Sequence, residues 1–246
     1  FLETSCLNRT LVKYFVDYLN NSWVKSIKKN WSAASLLVAV SVLFGILVLQ
    51  QNDYFRREST RVSSHIVDLT FQNYFDQVKL LTSEYEIDVA YVLSVIALES
   101  SGRKLVPHRF EPHVYEKLEK VSAGKLNNYE YVNYQRIKQY NVPALRDLAS
   151  SWGPLQIMGY KCFEIDISIE TLKGRDNLKH AIRWISKSYG LLLKEGRYKD
   201  AFHYHNTGRN YPKLGPPKTF HKEYVPKGLN YMEAFRKLIE TEEKKL

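Results

Sequence analysis

The hydrophobic pattern of the chain changes twice before it settles. Residues 5–30 repeat apolar positions at Leu7, Leu11, Phe15, Tyr18, Leu19 and Trp23. That three-to-four spacing predicts an amphipathic helix, lying on a membrane or packed on a partner. Ser32 to Leu49 then runs without a single charge. As a helix this run reaches about 27 Å, close to the thickness of a bilayer's hydrocarbon core. Its Leu, Val, Ile and Phe side chains all favour insertion, and Trp31 and Tyr54 stand where interfacial aromatics belong. The run therefore predicts a transmembrane helix over residues 32–50. A cleaved signal peptide fits poorly, because the lead-in is long and Leu-Gln-Gln-Asn is no small-residue cleavage site. Residues 51–71 are polar, with Arg56-Arg57-Glu58-Ser59-Thr60-Arg61, and read as a linker or helical stalk.

From residue 72 the pattern is helical almost throughout, so the expected fold is mainly α. One helix is expected over 72–85, and Asp88 can cap a second that runs to Glu99. Pro112 suits the first turn of a helix to about Lys120. Pro143 is expected to open a helix to Ser150, and Pro154, after Gly153, to open the next. Asp176 can cap a longer helix with the stripe Leu178, Ala181, Ile182, Ile185 and Tyr189. A helix from Lys199 to His205 ends at Gly208. Residues 209–229 carry Pro212, Gly215, Pro216, Pro217, Pro226 and Gly228 and read as loop. Asn230 with Glu233 three later then begins the last helix in a capping-box-like arrangement. One small β-hairpin fits within 100–140, where Tyr129, Tyr131, Tyr134 and Tyr140 either line a groove or form ordinary half-buried surface. The expected organisation is a juxtamembrane segment (1–31), a membrane helix (32–50), a stalk (51–71) and one helical domain (72–246).

Composition narrows the partners. Of the formal net charge of +10, residues 1–50 contribute +3 and the remainder +7. A basic protein favours an anionic partner such as nucleic acid or a bacterial cell wall. The chain carries no compact Lys/Arg stripe and no nucleic-acid motif. Lys25, Lys28 and Lys29 before the apolar run mildly favour a cytoplasmic N-terminus over Arg56, Arg57 and Arg61 after it. Cys6 and Cys162 fall on opposite sides of that run, which argues against a disulfide between them. His203 with His205, and His108 with His113, lack metal-site spacing, so neither a metal nor a cofactor is expected. The chain opens on Phe1, with Met158 and Met232 its only methionines, and is expected to be a processed product or a piece of a longer polypeptide.

The candidate chemistry begins at Glu99. The stripe Val89, Val92, Leu93, Ile96 continues on the same helix face to this glutamate. A carboxyl there points toward the core or a bordering cleft, where burial raises its pKa and keeps it protonated as a general acid. The plainer reading is a glutamate at a frayed helix end. Ser100-Ser101-Gly102 stop the helix, with Gly102 as the expected left-handed residue.

Three later segments add to it: Arg109-Phe110-Glu111-Pro112-His113-Val114-Tyr115, Trp152-Gly153-Pro154-Leu155-Gln156-Ile157-Met158, and His203-Tyr204-His205-Asn206-Thr207-Gly208. In this order, Glu-Ser-Ser-Gly, Gly-x-x-Gln-Ile-Met and an Asn-x-Gly segment resemble lysozyme-like peptidoglycan-cleaving domains. Phage-type N-acetylmuramidases and soluble lytic transglycosylases look most similar, over about residues 72–240. The resemblance implies a lysozyme-like helical domain that cleaves MurNAc–GlcNAc strands, with Glu99 as proton donor. Glu111 then acts as base or electrostatic partner, or holds its loop by a salt bridge to Arg103 or Arg109. Ser101, Trp152, Gln156, Met158, His205, Asn206 and Tyr211 stand as substrate-binding candidates, and Gly153 as a close approach of backbone to sugar. For Trp152 and Met158 core packing competes. The transglycosylase pattern has Tyr where this chain has His205, which puts that tyrosine's role in doubt. The implied partners are peptidoglycan strands, a membrane through residues 32–50, and other phage virion or tail proteins. The expected location is a phage virion, then the host inner membrane with the domain in the periplasm; a bacterial inner-membrane protein facing the periplasm is the alternative. A different class also fits: a non-catalytic wall-binding and membrane-channel component of a phage tail or secretion machine.

Overall fold

The computed structural model describes residues 33–245, with side chains described outside 33–39 and 53–62. The amphipathic segment expected at 1–31 lies outside the described residues. Two compact units divide the chain, Phe1–Arg61 and Val62–Leu246. The expected stalk and first domain helix are parts of one helix, α1 (Ala33–Ser83). No Pro or Gly interrupts residues 46–83, so nothing in the sequence stops that helix between the two expected pieces. Among the described residues no helix is long and apolar enough to cross a membrane. The expected span at 32–50 falls partly on residues outside that description; of its described part, Val42, Leu43, Phe44 and Leu49 are exposed.

The second unit is mainly helical with two small antiparallel sheets. In chain order it holds α2 (Val89–Ser100), β1 (Arg109–Phe110), α3 (Pro112–Ser122), β2 (Asn128–Tyr129), β3 (Val132–Asn133), α4 (Tyr134–Ile137) and α5 (Val142–Leu148). There follow β4 (Ser150–Trp152), β5 (Ile157–Met158), a 3-10 helix (Gly159–Glu164), α6 (Ile169–Leu172), α7 (Asn177–Lys194), α8 (Tyr198–Thr207) and α9 (Tyr224–Glu243). β2 and β3 form the hairpin expected within 100–140.

Three local expectations are corrected. Pro154 opens no helix: residues 153–156 are the turn between β4 and β5, which pair antiparallel with β1 at the edge in the order β1-β4-β5. The helix expected to reach Ser150 stops at Leu148 because Ser150 is already paired with Phe110. The last helix begins at Tyr224 rather than Asn230. Pro226 is compatible with this because it falls in the first turn, where a missing N–H breaks no helical bond.

Two hydrophobic clusters make the core. One joins the C-terminal part of α1 with α2, α7, α8 and α9; the other gathers α3, the β2–β3 hairpin, α5, the 3-10 helix and α6. The β4–β5 hairpin lies between them. Leu155 and Ile157 pack in the first cluster, while Trp152 and Met158 pack against the second. Adjacent strand residues facing opposite ways produce this split.

α2 is the central helix of the first cluster. The sequence suggests one apolar stripe, yet every residue from Ala90 to Ala97 is buried. A helix apolar on all sides is surrounded rather than docked on one face. Asp88 caps it as expected, its carboxylate accepting the Ala90 N–H at 2.8 Å.

Candidate active site

The buried helix ends at a carboxyl. Glu99 is half-buried, one turn beyond the fully buried Val95 and Ile96. Burial pushes its pKa up from 4.5 to about 7; the Tyr224 hydroxyl and, at longer range, the Arg109 charge pull the other way. Tyr224, itself buried, donates to Glu99 Oε1 at 2.5 Å. No cation pairs with Glu99 among the described residues. A second buried carboxylate shows the contrast. Glu164 is met by Lys161 at 2.6 Å, Trp184 Nε1 at 2.9 Å and Ser188 at 3.0 Å, so its charge is compensated. With its pKa raised to about 7, Glu99 keeps its proton in roughly half of the molecules at pH 7.

The turn after Glu99 is fixed from outside. Ser101 is the first left-handed residue (φ 53°), ahead of the expected Gly102 (φ 71°). Gly102 is required for a further reason: a Cβ there would lie 2.4 Å from Thr70 Oγ1 and 2.8 Å from Thr70 Cα. Asn73 Nδ2 donates to the Gly102 carbonyl and the Tyr74 hydroxyl to the Arg103 carbonyl, at 2.8 and 2.6 Å. α1 thus fastens the exit of the helix that carries the acid.

Glu111 sits at the N-cap position of α3 and makes no side-chain cap bond. Arg109 grips its Oε1 through Nε at 2.6 Å and a terminal nitrogen at 2.5 Å, and His113 Nδ1 lies 3.6 Å from Oε2. Of the two salt-bridge partners expected, Arg109 is the one present. That same guanidinium lowers the pKa of Glu99, so it couples the two carboxyls electrostatically.

The Gln-Ile-Met segment is tied into its own turn. Gln156, itself left-handed at φ 48°, accepts from Ser151 Oγ at 2.6 Å and donates to the Gly153 carbonyl at 2.9 Å. A Cβ at Gly153 would fall 1.6 Å from Asn177 Oδ1, so packing against that side chain requires glycine there. Trp152 donates Nε1–H to the Asp147 carbonyl at 2.9 Å and stacks on His108 with ring centroids 4.8 Å apart.

His205 belongs to a buried polar chain that the sequence does not show. Its Nε2 lies 3.1 Å from the Leu155 carbonyl, which can only accept, so Nε2 carries the proton. Nδ1 then accepts from Tyr189 at 2.7 Å, and Tyr189 receives the Tyr91 hydroxyl at 3.2 Å. Burial pushes the His205 pKa down from 6.5 to about 4, against the raising effect of the Leu155 carbonyl. α7 kinks at Tyr189 (φ −148°, ψ 19°), the residue in the middle of this chain.

Asn206 lies in the last turn of α8 and Tyr211 in the 208–223 loop that follows. Asn206 Oδ1 accepts the Phe220 N–H at 3.4 Å, and the Tyr211 N–H reaches Asp200 at 2.9 Å. The buried His203 holds the same loop twice, at the Arg209 carbonyl (2.7 Å) and the Lys218 N–H (3.0 Å). Both bonds require the neutral ring with its proton on Nδ1. α8 thereby sets the loop that delivers Tyr224 to Glu99. Tyr224 and His203 are the site residues missed in sequence. A tyrosine read as part of a loop gives no signal of a helix start, and a histidine on a helical stripe is indistinguishable from core. No group of three or more His, Cys, Asp or Glu among the described residues could hold a metal ion.

No protein-family model matches the chain, and no curated protein does. Among solved structures, the crystal structure of an endolysin from Burkholderia AP3 phage is similar at a TM-score of 0.45 and 18% identity, covering 66% of this chain and 70% of that one.

Proposed function

We propose that the Val62–Leu246 unit cleaves the MurNAc–GlcNAc glycan strand of bacterial peptidoglycan with Glu99 as general acid. One observation carries this reading: the acid ends a helix buried from Ala90 to Ala97, has no pairing cation among the described residues, and meets the Tyr224 hydroxyl at 2.5 Å. Glycoside cleavage needs a proton for the leaving oxygen and stabilisation of an oxocarbenium-like transition state. Tyr224 occupies Oε1, so Oε2 carries the proton and faces the strand. As the C–O bond breaks, that proton passes to the leaving oxygen and Glu99 becomes a carboxylate. Arg109 and the Tyr224 hydroxyl stabilise the new charge. The bond is then completed by water, with Glu111 as its base, or by the strand's own 6-hydroxyl, with Glu99 taking the proton back.

The setting we propose is a phage-delivered or inner-membrane protein, anchored through residues 32–50 and acting on the wall from the periplasm. The exposed Val42, Leu43, Phe44 and Leu49 support an apolar environment around that helix.

Purified peptidoglycan incubated with the full chain, and with Glu99→Gln, tests the reaction by mass spectrometry of the soluble products. Wild type alone should release glycan fragments. Reducing muramic ends identify hydrolysis and anhydro ends identify transglycosylation. Equal products from both proteins, or none from a folded wild type that binds wall, overturn the reading in favour of a wall-binding structural component.

A further inference from the structure

The two residues of β1 send their side chains to opposite faces. Phe110 packs against the second core cluster, with the Arg146 guanidinium 4.1 Å from its ring centre, while the Arg109 side chain is 77% exposed. The next residue, Glu111, is fixed along its backbone from both sides. Its N–H donates to the Ala149 carbonyl at 2.9 Å, and the following Pro112 confines it to the extended region, at φ −113° and ψ 97°. What remains adjustable is its carboxylate, and the two oxygens are held unequally. A guanidinium commonly meets a carboxylate as a fork, one nitrogen to each oxygen. Here Arg109 Nε, at 2.6 Å, and a terminal nitrogen, at 2.5 Å, both fall on Oε1. Among the described residues the partner of Oε2 is His113 Nδ1 at 3.6 Å, beyond hydrogen-bond distance. Nor does the carboxylate cap α3, although Glu111 stands at the N-cap position. An ion pair with so exposed a cation adds little to stability. The same guanidinium acts on Glu99 at longer range, so the held carboxylate and the acid share one cation.

We propose that Arg109 is a positioning residue, which holds Glu111 by Oε1 alone and keeps Oε2 open to the water that completes bond cleavage. This role rests on the glycan-cleaving reading above and favours its water route. As Glu99 gives its proton to the leaving oxygen, the water oxygen bonds to the anomeric carbon and the water proton passes to Glu111 Oε2. Glu99 is left a carboxylate and Glu111 an acid, and proton exchange with solvent restores both. Arg109 thus has two separable effects. Any cation supplies its charge to Glu99, but two nitrogens on one oxygen of Glu111 need the rigid guanidinium, which lysine lacks.

Steady-state cleavage of soluble, uncrosslinked peptidoglycan strands by the full chain, followed across pH, tests this. The proteins compared are wild type, Arg109→Lys, Arg109→Gln, Glu111→Gln and the double variant Arg109→Lys/Glu111→Gln. Arg109→Lys should lower kcat about ten- to hundredfold, with KM near the wild-type value and the alkaline limb of the pH profile unmoved. Arg109→Gln should lose at least as much, and its alkaline limb should move upward, because a cation that depresses the Glu99 pKa is gone. On the Glu111→Gln background, Arg109→Lys should cost less than about twofold, since its effect passes through Glu111. The Arg109 side chain is exposed, so its replacement keeps the fold. Full activity of Arg109→Lys, full activity of Glu111→Gln, or losses that simply multiply in the double variant overturn the proposal and leave Glu99 as the acid. If wild type releases no glycan, or no more than Glu99→Gln does, the cleavage reading itself fails and the role of Arg109 falls with it.

Discussion

The hydroxyl of Tyr224 lies 2.5 Å from Glu99 Oε1, joining the first turn of α9 to the end of α2 across 125 residues of chain. Because the tyrosine donates, it favours the charged form of the acid and works against burial, which raises the pKa to about 7. Tyr224→Phe should therefore raise the Glu99 pKa further and move the alkaline limb of the pH–rate profile upward. It should also cost about tenfold in kcat, since the carboxylate formed in the reaction loses a charge-assisted hydrogen bond. A profile identical to wild type would remove Tyr224 from the mechanism.

Glu99 should also tax the fold. Its folded pKa of about 7 exceeds its ordinary 4.5, so the folded state holds a proton that the unfolded state has released. Stability is then greatest below pH 4.5 and falls as pH rises toward 7, by roughly 3 kcal/mol in all. Glu99→Gln should abolish that loss: at pH 8 it should be more stable than wild type, and at pH 4.5 about equal. Urea denaturation at the two pH values reads the difference.

His205 acts in the opposite direction. Its pKa is depressed from 6.5 to about 4, so its contribution is complete above pH 6.5 and is lost as pH falls toward 4. The size is again roughly 3 kcal/mol. His205→Gln keeps a donor for the Leu155 carbonyl and an acceptor for Tyr189, and should resist acid better than wild type. In wild type the slopes of Glu99 and His205 oppose one another between about pH 4.5 and 6.5, giving a flat stability profile there. Glu99→Gln should unmask a rise over the same range.

Gly153→Ala should be severe without touching the acid. The new Cβ meets Asn177 Oδ1 at 1.6 Å, and the residue is held at φ 72°, so the turn must move. A destabilisation of about 2–4 kcal/mol is expected, read as a lowered urea midpoint.

The helix leading to Glu99 was legible because a capping aspartate, an apolar run and a chain-stopping Ser-Ser-Gly coincide within fifteen residues. Its burial on all sides was not, since periodicity on one helix cannot show what other helices cover. Pro154 misled because proline opens turns and helices alike; pairing of Ser151 with Met158 decides between them, and pairing is non-local. Pro226 and Gly228 disguised α9 as loop. Proline in a first turn costs no bond, and Gly228 is a packing choice, a Cβ there falling 2.8 Å from the Phe202 ring. The tyrosine–histidine chain stayed hidden because its members lie on α2, α7 and α8, far apart in sequence.

The clamp between α1 and the turn after Glu99 sets where a shortened form of this domain can begin. Thr70 is fully buried beneath Gly102, and Val67 belongs to the core, so the floor of the acid's turn is laid down upstream of residue 72. A fragment begun at 72 keeps every side chain of the proposed chemistry and loses the plate it is bolted to; one begun at 62 keeps both.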